Sequence, residues 1–241
     1  MKKNKKTIFV ITAHDDDFLL AIGGISLLRH KNDEIHQLVC TSCENSHRLV
    51  LGEVDDPTPN QVMEARRHES QICNQILKDV GLCIVYEQWG IPEACSFLPN
   101  NMDEVKWRIK ERIRMLKPDV VYFHSLDGHE DHKAIHNATK LALKEIDFTG
   151  EMYTFAIWTK QVAQENPELD EADIPDFDEN CEIVNIHSVL SIKEKALNAF
   201  KSQVEANPYA EWKPQARSIL LPNFKEYFLR GEEVITPFLW K

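Results

Sequence analysis

Apolar and polar residues fall into alternating blocks along the chain. Thr7 to Ala13 (TIFVITA) is a short apolar run rich in β-branched residues, which predicts a buried strand. Residues 19 to 30 (LLAIGGISLLRH) predict a helix in which Gly23-Gly24 allows close packing. Glu34 to Cys40 predicts a second strand, and polar residues 42 to 60, with Pro57 and Pro59, a loop that leads into a helix at about 61 to 80. Leu82 to Tyr86 predicts a third strand and residues 103 to 116 a helix. Pro118 to His124 (PDVVYFH) is the clearest strand, followed by a polar loop and a helix. In that helix Ala134, Ile135, Ala138, Leu141 and Ala142 keep a 3.6-residue period. Tyr153 to Trp158 and Glu182 to Ile186 predict later strands, 164 to 180 an acidic surface loop, and 188 to 203 a last helix. Strands alternating with helices imply an α/β fold, with a mainly parallel sheet and helices on both faces. No internal repeat and no long linker divides residues 1–241, so a single domain is expected.

Charge narrows the range of functions. With 28 Lys and Arg against 39 Asp and Glu, the formal charge is −11. That sign disfavours sequence-independent nucleic-acid binding and adhesion to an anionic membrane. The apolar run Ile8 to Ala13 is too short for a signal core, and no stretch reaches the roughly 20 apolar residues of a membrane span. A soluble, cytoplasmic protein is the expectation. The six cysteines are scattered through apolar patterns and read as buried thiols; Cys40 and Cys43 have CxxC spacing, but no second pair completes a four-sulfur zinc site.

In open α/β sheets, ligands bind beyond the carboxyl ends of the strands. Two unusual polar clusters stand at such positions: His14-Asp15-Asp16-Asp17 after the first strand, and His129-Glu130-Asp131-His132 after the strand ending at His124. Three successive carboxylates beside an imidazole repel one another unless a cation is near. Aspartate is also a preferred helix N-cap, so for the first cluster alone capping and metal binding both stand. His14 and Asp17 are one helical turn apart, as are His129 and His132, and Asp131 can orient a ring nitrogen. Two imidazoles and a carboxylate form a catalytic zinc set with a fourth position for water, and the same donors suit iron.

These residues also carry a resemblance. Ile8 to Gly24 resembles the opening of the LmbE-like (PIG-L) N-acetylglucosaminyl deacetylases, whose signature is Ala-His-Pro-Asp-Asp-Glu followed by Gly-Gly. Here it stands as Ala13-His14-Asp15-Asp16-Asp17-Phe18, with Gly23-Gly24 at the matching offset. The second signature, His-x-Asp-His, matches His129-Glu130-Asp131-His132. Weaker matches are Arg66-Arg67-His68-Glu69, Lys117 to Val121, and Lys195 with Ser202-Gln203. Asp15 replaces the usual proline, Phe18 the usual glutamate, and Thr41-Ser42-Cys43-Glu44 the usual Thr-Asp-Gly-Glu.

The resemblance implies an α/β, Rossmann-like hydrolase that removes an N-acetyl or other N-acyl group from an aminosugar-containing small molecule through a zinc-activated water. By position, His14, Asp17 and His132 would hold Zn2+, with Fe2+ as the alternative. Asp16 would be the general base. His129 would stabilise the oxyanion and, protonated and held by Asp131, serve the leaving amine. Arg66 would contact substrate hydroxyl or phosphate oxygens. The partner is then a small-molecule aminosugar conjugate, and a homo-oligomer is compatible with the sequence.

Rival readings are another metal-dependent amidase or phosphoester hydrolase, or an inactive relative that binds a sugar or nucleotide. The departures at Asp15 and Phe18 are the best support for the inactive relative, and the retention of Asp16, His129 and Asp131 argues against it. Plainer roles are a capping Asp16, an exposed Arg66 paired with Glu69, a structural His124, exposed His68 and His136, and core positions for Trp89 and Trp158.

Overall fold

The computed structural model describes residues 5–52, 55–93, 97–159 and 180–240. Its strands are β1 (Thr7–Thr12), β2 (Glu34–Thr41), β3 (Cys83–Ile91), β4 (Val120–His124), β5 (Glu151–Phe155), β6 (Glu182–Asn185) and β7 (Glu232–Pro237). They form one sheet in the order β3-β2-β1-β4-β5-β7-β6. β1 is central and pairs in parallel with β2 (Ile8 opposite Ile35) and with β4 (Ile8 opposite Val120). β3 and β5 extend this parallel block, and β7 runs antiparallel to both β5 and β6. The expected mainly parallel α/β sheet is present.

The helices are α1 (Asp17–Arg29), α2 (Ser46–Leu51), α3 (Pro59–Asp79), α4 (Phe97–Leu116), α5 (Glu130–Glu145), α6 (Leu190–Leu197), α7 (Lys201–Val204) and α8 (Pro222–Phe228). Successive side chains of β1 point to opposite faces, which explains its unbroken apolar sequence. Ile8 and Val10 enter a core with Phe18, Ile22 and Ile25 of α1, Leu77 of α3 and Leu197 of α6. Phe9 and Ile11 enter the opposite core with Val105 and Ile109 of α4 and Ile135, Ala138 and Leu143 of α5. Trp158 packs on the first core and Trp89 on the second, as sequence predicts.

Several boundaries differ from the sequence reading. β3 runs on to Ile91 because it is an outer strand, where Glu87 and Gln88 interrupt the apolar pattern without ending the ladder. α3 begins at Pro59, fixed by a capping box between Thr58 and Gln61. The single helix expected over 188–203 is divided into a 3₁₀ turn (His187–Val189), α6 and α7. At the break, the Ser202 backbone N–H donates to Glu69 Oε1 at 2.6 Å, where a continuous helix would have paired it with the carbonyl four residues back. α8 and β7 lie in sequence for which no element was predicted. The loop expected at 164–180 lies, apart from Asn180, outside the described residues, as does Cys95. Cys40, Cys43 and Cys73 are buried free thiols, whereas Cys83 is exposed and Cys181 half-buried, against the expectation of burial. No helix among the described residues is long and apolar enough to cross a membrane.

α1 delivers Asp17 to the end of the sheet, and its middle is tied to the end of the chain. Glu233 on β7 accepts from the backbone N–H groups of Gly24 (2.8 Å) and Ile25 (2.7 Å). Lys193 on α6 lies 2.7 Å from Glu233 Oε1 and donates to the carbonyl of Leu20 at 2.7 Å. This ion pair is fully buried, and its charges are offset by each other and by backbone groups. Beside it, a Cβ at Gly24 would meet three side-chain atoms of Ile186 at 2.7–2.9 Å. Gly24→Ala is therefore expected to cost about 1–3 kcal/mol through overpacking. The measurement is thermal unfolding, with a fall of about 2–4 °C per kcal/mol for a chain of this size. The double variant Gly24→Ala/Ile186→Ala should lose less than the sum of the two single losses.

Candidate metal centre

The loops leaving β1, β2, β3 and β4 meet at one end of the parallel block, on either side of the central strand. β1 ends directly before Ala13, and the sharp passage into α1 presents His14, Asp15 and Asp16 from the loop and Asp17 from the first helical turn. Asp16 stands at the N-cap of α1, yet its side chain makes no capping hydrogen bond. β4 ends at His124, Asp127 follows in the loop, His129 is the N-cap of α5, and His132 lies in its first turn. Glu93 lies two residues beyond the end of β3.

Donor atoms of three residues converge between the two signatures, with each imidazole meeting a different oxygen of Asp17. His14 Nδ1 is 3.2 Å from His132 Nε2 and 3.5 Å from Asp17 Oδ2, while His132 Nε2 is 3.6 Å from Asp17 Oδ1. Zinc–nitrogen bonds of roughly 2.0–2.1 Å in tetrahedral arrangement separate neighbouring ligand atoms by about 3.3–3.4 Å. The spacing therefore fits a small divalent cation. Asp17 Oδ2 is held from behind by the backbone N–H of His14 (2.7 Å) and by His124 Nε2 (3.0 Å).

The outer nitrogens of both imidazoles face carboxylates. His132 Nδ1 lies 2.8 Å from Asp127 Oδ2, which turns the Nε2 lone pair inward. Asp127 is itself fixed by the backbone N–H groups of His129 and Ile157, both at 3.0 Å. His14 Nε2 lies 3.3 Å from Glu93 Oε1 and 3.5 Å from Asp131 Oδ2. Neither contact has the alignment of a full hydrogen bond, and both oxygens of Asp131 are buried without a hydrogen-bond partner. The outer nitrogens of both rings thus meet carboxylates, as those of metal-ligating imidazoles commonly do.

Electrostatics point the same way. Burial opposes charge on His132, but Asp127 and Asp17 outweigh it and raise its pKa to about 9. Burial is likewise overcome at His14, chiefly by Asp17 and by contacts to Asp131 and Glu93, and its pKa lies well above the usual value. Burial pushes Asp17 up, yet the charges of His132, His124 and His14 hold its carboxyl well below the carboxylate range. The carboxylates thus favour positive charge at the two rings, a preference that a divalent cation between them would satisfy.

Other site residues fall into place around this centre. Asp16 Oδ1 accepts from Arg66 Nη2 at 2.8 Å, and the same guanidinium nitrogen binds Asp15 Oδ1. Ser70 Oγ donates to Asp15 Oδ2 at 3.0 Å. Arg66 is thus buried against two aspartates, and the exposed Arg66–Glu69 pair of the plainer reading does not form. Glu69 instead receives Ser202 and Tyr209. Asp15, the departure from the family signature, has a defined partner, whereas Phe18 packs into the core at 1% exposure.

His129 sits at the mouth, its side chain 22% exposed, and its Nδ1 accepts the backbone N–H of Asp131 at 3.2 Å. The Asp131 carboxylate is 4.0 Å from that nitrogen. Burial and the charges of His132 and His14 bring the pKa of His129 down to about 3, so its ring is neutral with the proton on Nε2. The expected pairing of His129 with the Asp131 carboxylate is present only as that long contact, and the hydrogen bond His129 makes is to the Asp131 backbone N–H. His124 is fully buried, stacks on His132 with ring centroids 3.8 Å apart and holds Asp17. His136, expected to be exposed, is 5% exposed, with Nδ1 2.8 Å from the carbonyl of His124. Asp127 and Glu93 were not singled out from sequence. Asp127 follows a strand end closely, a usable signal; Glu93 was hidden because β3 was expected to stop at Tyr86.

Residues 9–143 match the profile of the PIG-L family, described as GlcNAc-PI de-N-acetylase. No curated protein sequence matches the chain significantly. Among solved structures, it is similar to a triple mutant of a deacetylase of the teicoplanin biosynthetic pathway, at 15% identity and TM-score 0.67, covering 96% of this chain and 97% of that one. It is also similar to the N,N'-diacetylchitobiose deacetylase of Pyrococcus horikoshii, at 16% identity and TM-score 0.60, covering 98% and 84%. A third similar structure is GalB, the 4-carboxy-2-hydroxymuconate hydratase of Pseudomonas putida KT2440, at 19% identity and TM-score 0.60, covering 93% and 83%. These structural likenesses share the fold, and the sequence match covers more than half of the chain, which therefore belongs to the PIG-L (LmbE-like) family.

Proposed function

We propose that the protein is a metal-dependent deacylase that hydrolyses an N-acetyl or other N-acyl amide on an aminosugar-containing small molecule. The observation that carries this reading is the meeting of His14 Nδ1 and His132 Nε2, 3.2 Å apart, with the Asp17 carboxylate beside both, next to Asp16 and His129. A cation held there, zinc or iron by the chemistry of the donors, supplies Lewis acidity that lowers the pKa of water and polarises a carbonyl.

The chain's own groups account for the remaining steps. Arg66 engages Asp16 Oδ1, leaving Oδ2 to take a proton from the attacking water. As the water oxygen bonds to the acyl carbon, the carbonyl oxygen gains negative charge, and the Nε2–H of neutral His129 donates to it. The proton on Asp16 passes to the departing nitrogen as the C–N bond breaks, giving a carboxylic acid and a free amine. The role of Arg66 that this geometry supports is holding Asp16, in place of direct substrate contact. A single domain over residues 1–241 fits a sheet that draws strands from Thr7–Thr12 to Glu232–Pro237. Free buried thiols suit a cytoplasmic setting.

The purified protein should contain one divalent metal per chain, and chelation should abolish acetate release from N-acetylglucosamine conjugates. Asp16→Ala should lower kcat by about 10²–10⁴-fold with the metal retained. Metal analysis beside an acetate assay checks both; a protein that takes up no metal on reconstitution would sink the reading. A metal-loaded protein inert towards acyl amides but able to hydrate an unsaturated acid would move it to the chemistry named for GalB. His129→Ala should cost about 10²–10³ in kcat with little change in metal affinity, as expected for an oxyanion donor. Asp127→Asn should weaken metal binding by about 10–100-fold, read by chelator competition.

A further inference from the structure

We propose that Glu93 is the positioning residue for His14: it stands 3.3 Å from Nε2, short of hydrogen-bond alignment here, and takes the Nε2 proton when a cation engages the Nδ1 lone pair that faces Asp17 and His132. The inference rests on the reading of His14 as a metal ligand. The two nitrogens of His14 look in different directions. Nδ1 faces His132 and Asp17, and Nε2 faces Glu93 Oε1 at 3.3 Å. The ring has no backbone carbonyl on Nε2, so its tautomer is set by whichever carboxylate meets that atom.

Glu93 is built to be that carboxylate. It is 3% exposed, and its Oε2 accepts the backbone N–H of Asn45 at 2.8 Å. Its backbone N–H is received by both oxygens of Glu44, at 3.0 and 3.1 Å, and its carbonyl accepts from Asn45 Nδ2 at 2.5 Å. The segments after β2 and β3 are thereby clamped together, with Ser42 N–H on the carbonyl of Ile91 at 2.7 Å. One carboxylate oxygen is fixed by backbone and the other is left towards His14. A buried carboxylate is costly unless paired, and the His14 ring is the group that faces Glu93 Oε1. The arrangement repeats on the other ligand, where Asp127 backs Nδ1 of His132 and Nε2 turns inward. Asp131 also faces His14 Nε2, at 3.5 Å, but neither of its oxygens is fixed by another group.

The test is metal affinity, measured without substrate. Zn2+ and Co2+ dissociation constants for wild type, Glu93→Gln and Asp131→Asn would be taken by chelator competition, with the Co2+ absorption spectrum and the metal-free melting temperature recorded for each. Glu93→Gln should bind one metal per chain about 10–100-fold more weakly and with a shifted Co2+ spectrum. Its melting temperature should stay near that of wild type. Should Glu93→Gln fail to fold, ¹⁵N NMR of the zinc-loaded wild type replaces it, and the expected result is a His14 protonated on Nε2. Wild-type affinity in Glu93→Gln, weakening confined to Asp131→Asn, or a His14 protonated on Nδ1 would each overturn the proposal and leave the metal hydrolase reading intact. Two metals per wild-type chain, falling to one in Glu93→Gln, would overturn it in favour of a second cation site on Glu93. A wild type that binds no metal would overturn both readings.

Discussion

Six carboxylates, those of Asp15, Asp16, Asp17, Glu93, Asp127 and Asp131, lie buried together at the carboxyl ends of the central strands. Their repulsion has to be offset for that end of the sheet to close, since an unpaired buried charge is among the most expensive things a fold can contain. Arg66 is the permanent cation among them, and it is spent on Asp15 and Asp16. The remaining four surround the imidazoles of His14 and His132. Much of the surrounding architecture serves this one constraint. It accounts for an arginine buried on α3, for loops that clamp one another by backbone, and for a histidine stacked beneath His132.

The elements that were legible in the sequence are those whose signal is local. β1 and β4 are buried on both faces, so apolar runs announce them, and the polar residues that end them stand out. That is why the clusters His14–Asp17 and His129–His132 stand out, while the set His14, Asp17 and His132 is what the family resemblance implies. β3 was shortened because an edge strand tolerates polar residues, and the error carried Glu93 out of view. β7 was missed for a related reason: it adds antiparallel at the far side, with alternating residues and no apolar block. The break after α6 depends on Glu69, some 130 positions earlier, a contact no local pattern encodes.

Residue roles were harder to read than residue positions. Arg66 looked like a surface arginine or a substrate clamp, and its burial against Asp15 follows from an aspartate that the family signature does not contain. His136 has helical spacing that suits an exposed site, yet the carbonyl at the end of β4 draws it inward. The fold alone carries little chemical information, since structures of similar shape bear the names of deacetylases and of a hydratase. What discriminates is the placement of a few side chains: His129 against the Asp131 N–H, His132 against Asp127, and Asp16 against Arg66.

The Lys193–Glu233 pair has a bearing on how the chain can be divided. The family match ends at residue 143, which suggests a catalytic half that could be cut free. Yet the carbonyl of Leu20 and the N–H groups of Gly24 and Ile25 find partners on side chains some 170 to 210 positions downstream. Severed from α6 and β7, the helix that presents Asp17 would lose the buried side chains that bind it at Leu20, Gly24 and Ile25. The part of the molecule that carries the family match is completed by the part that does not, and a shorter chain bearing every signature would still lack a sound scaffold for them.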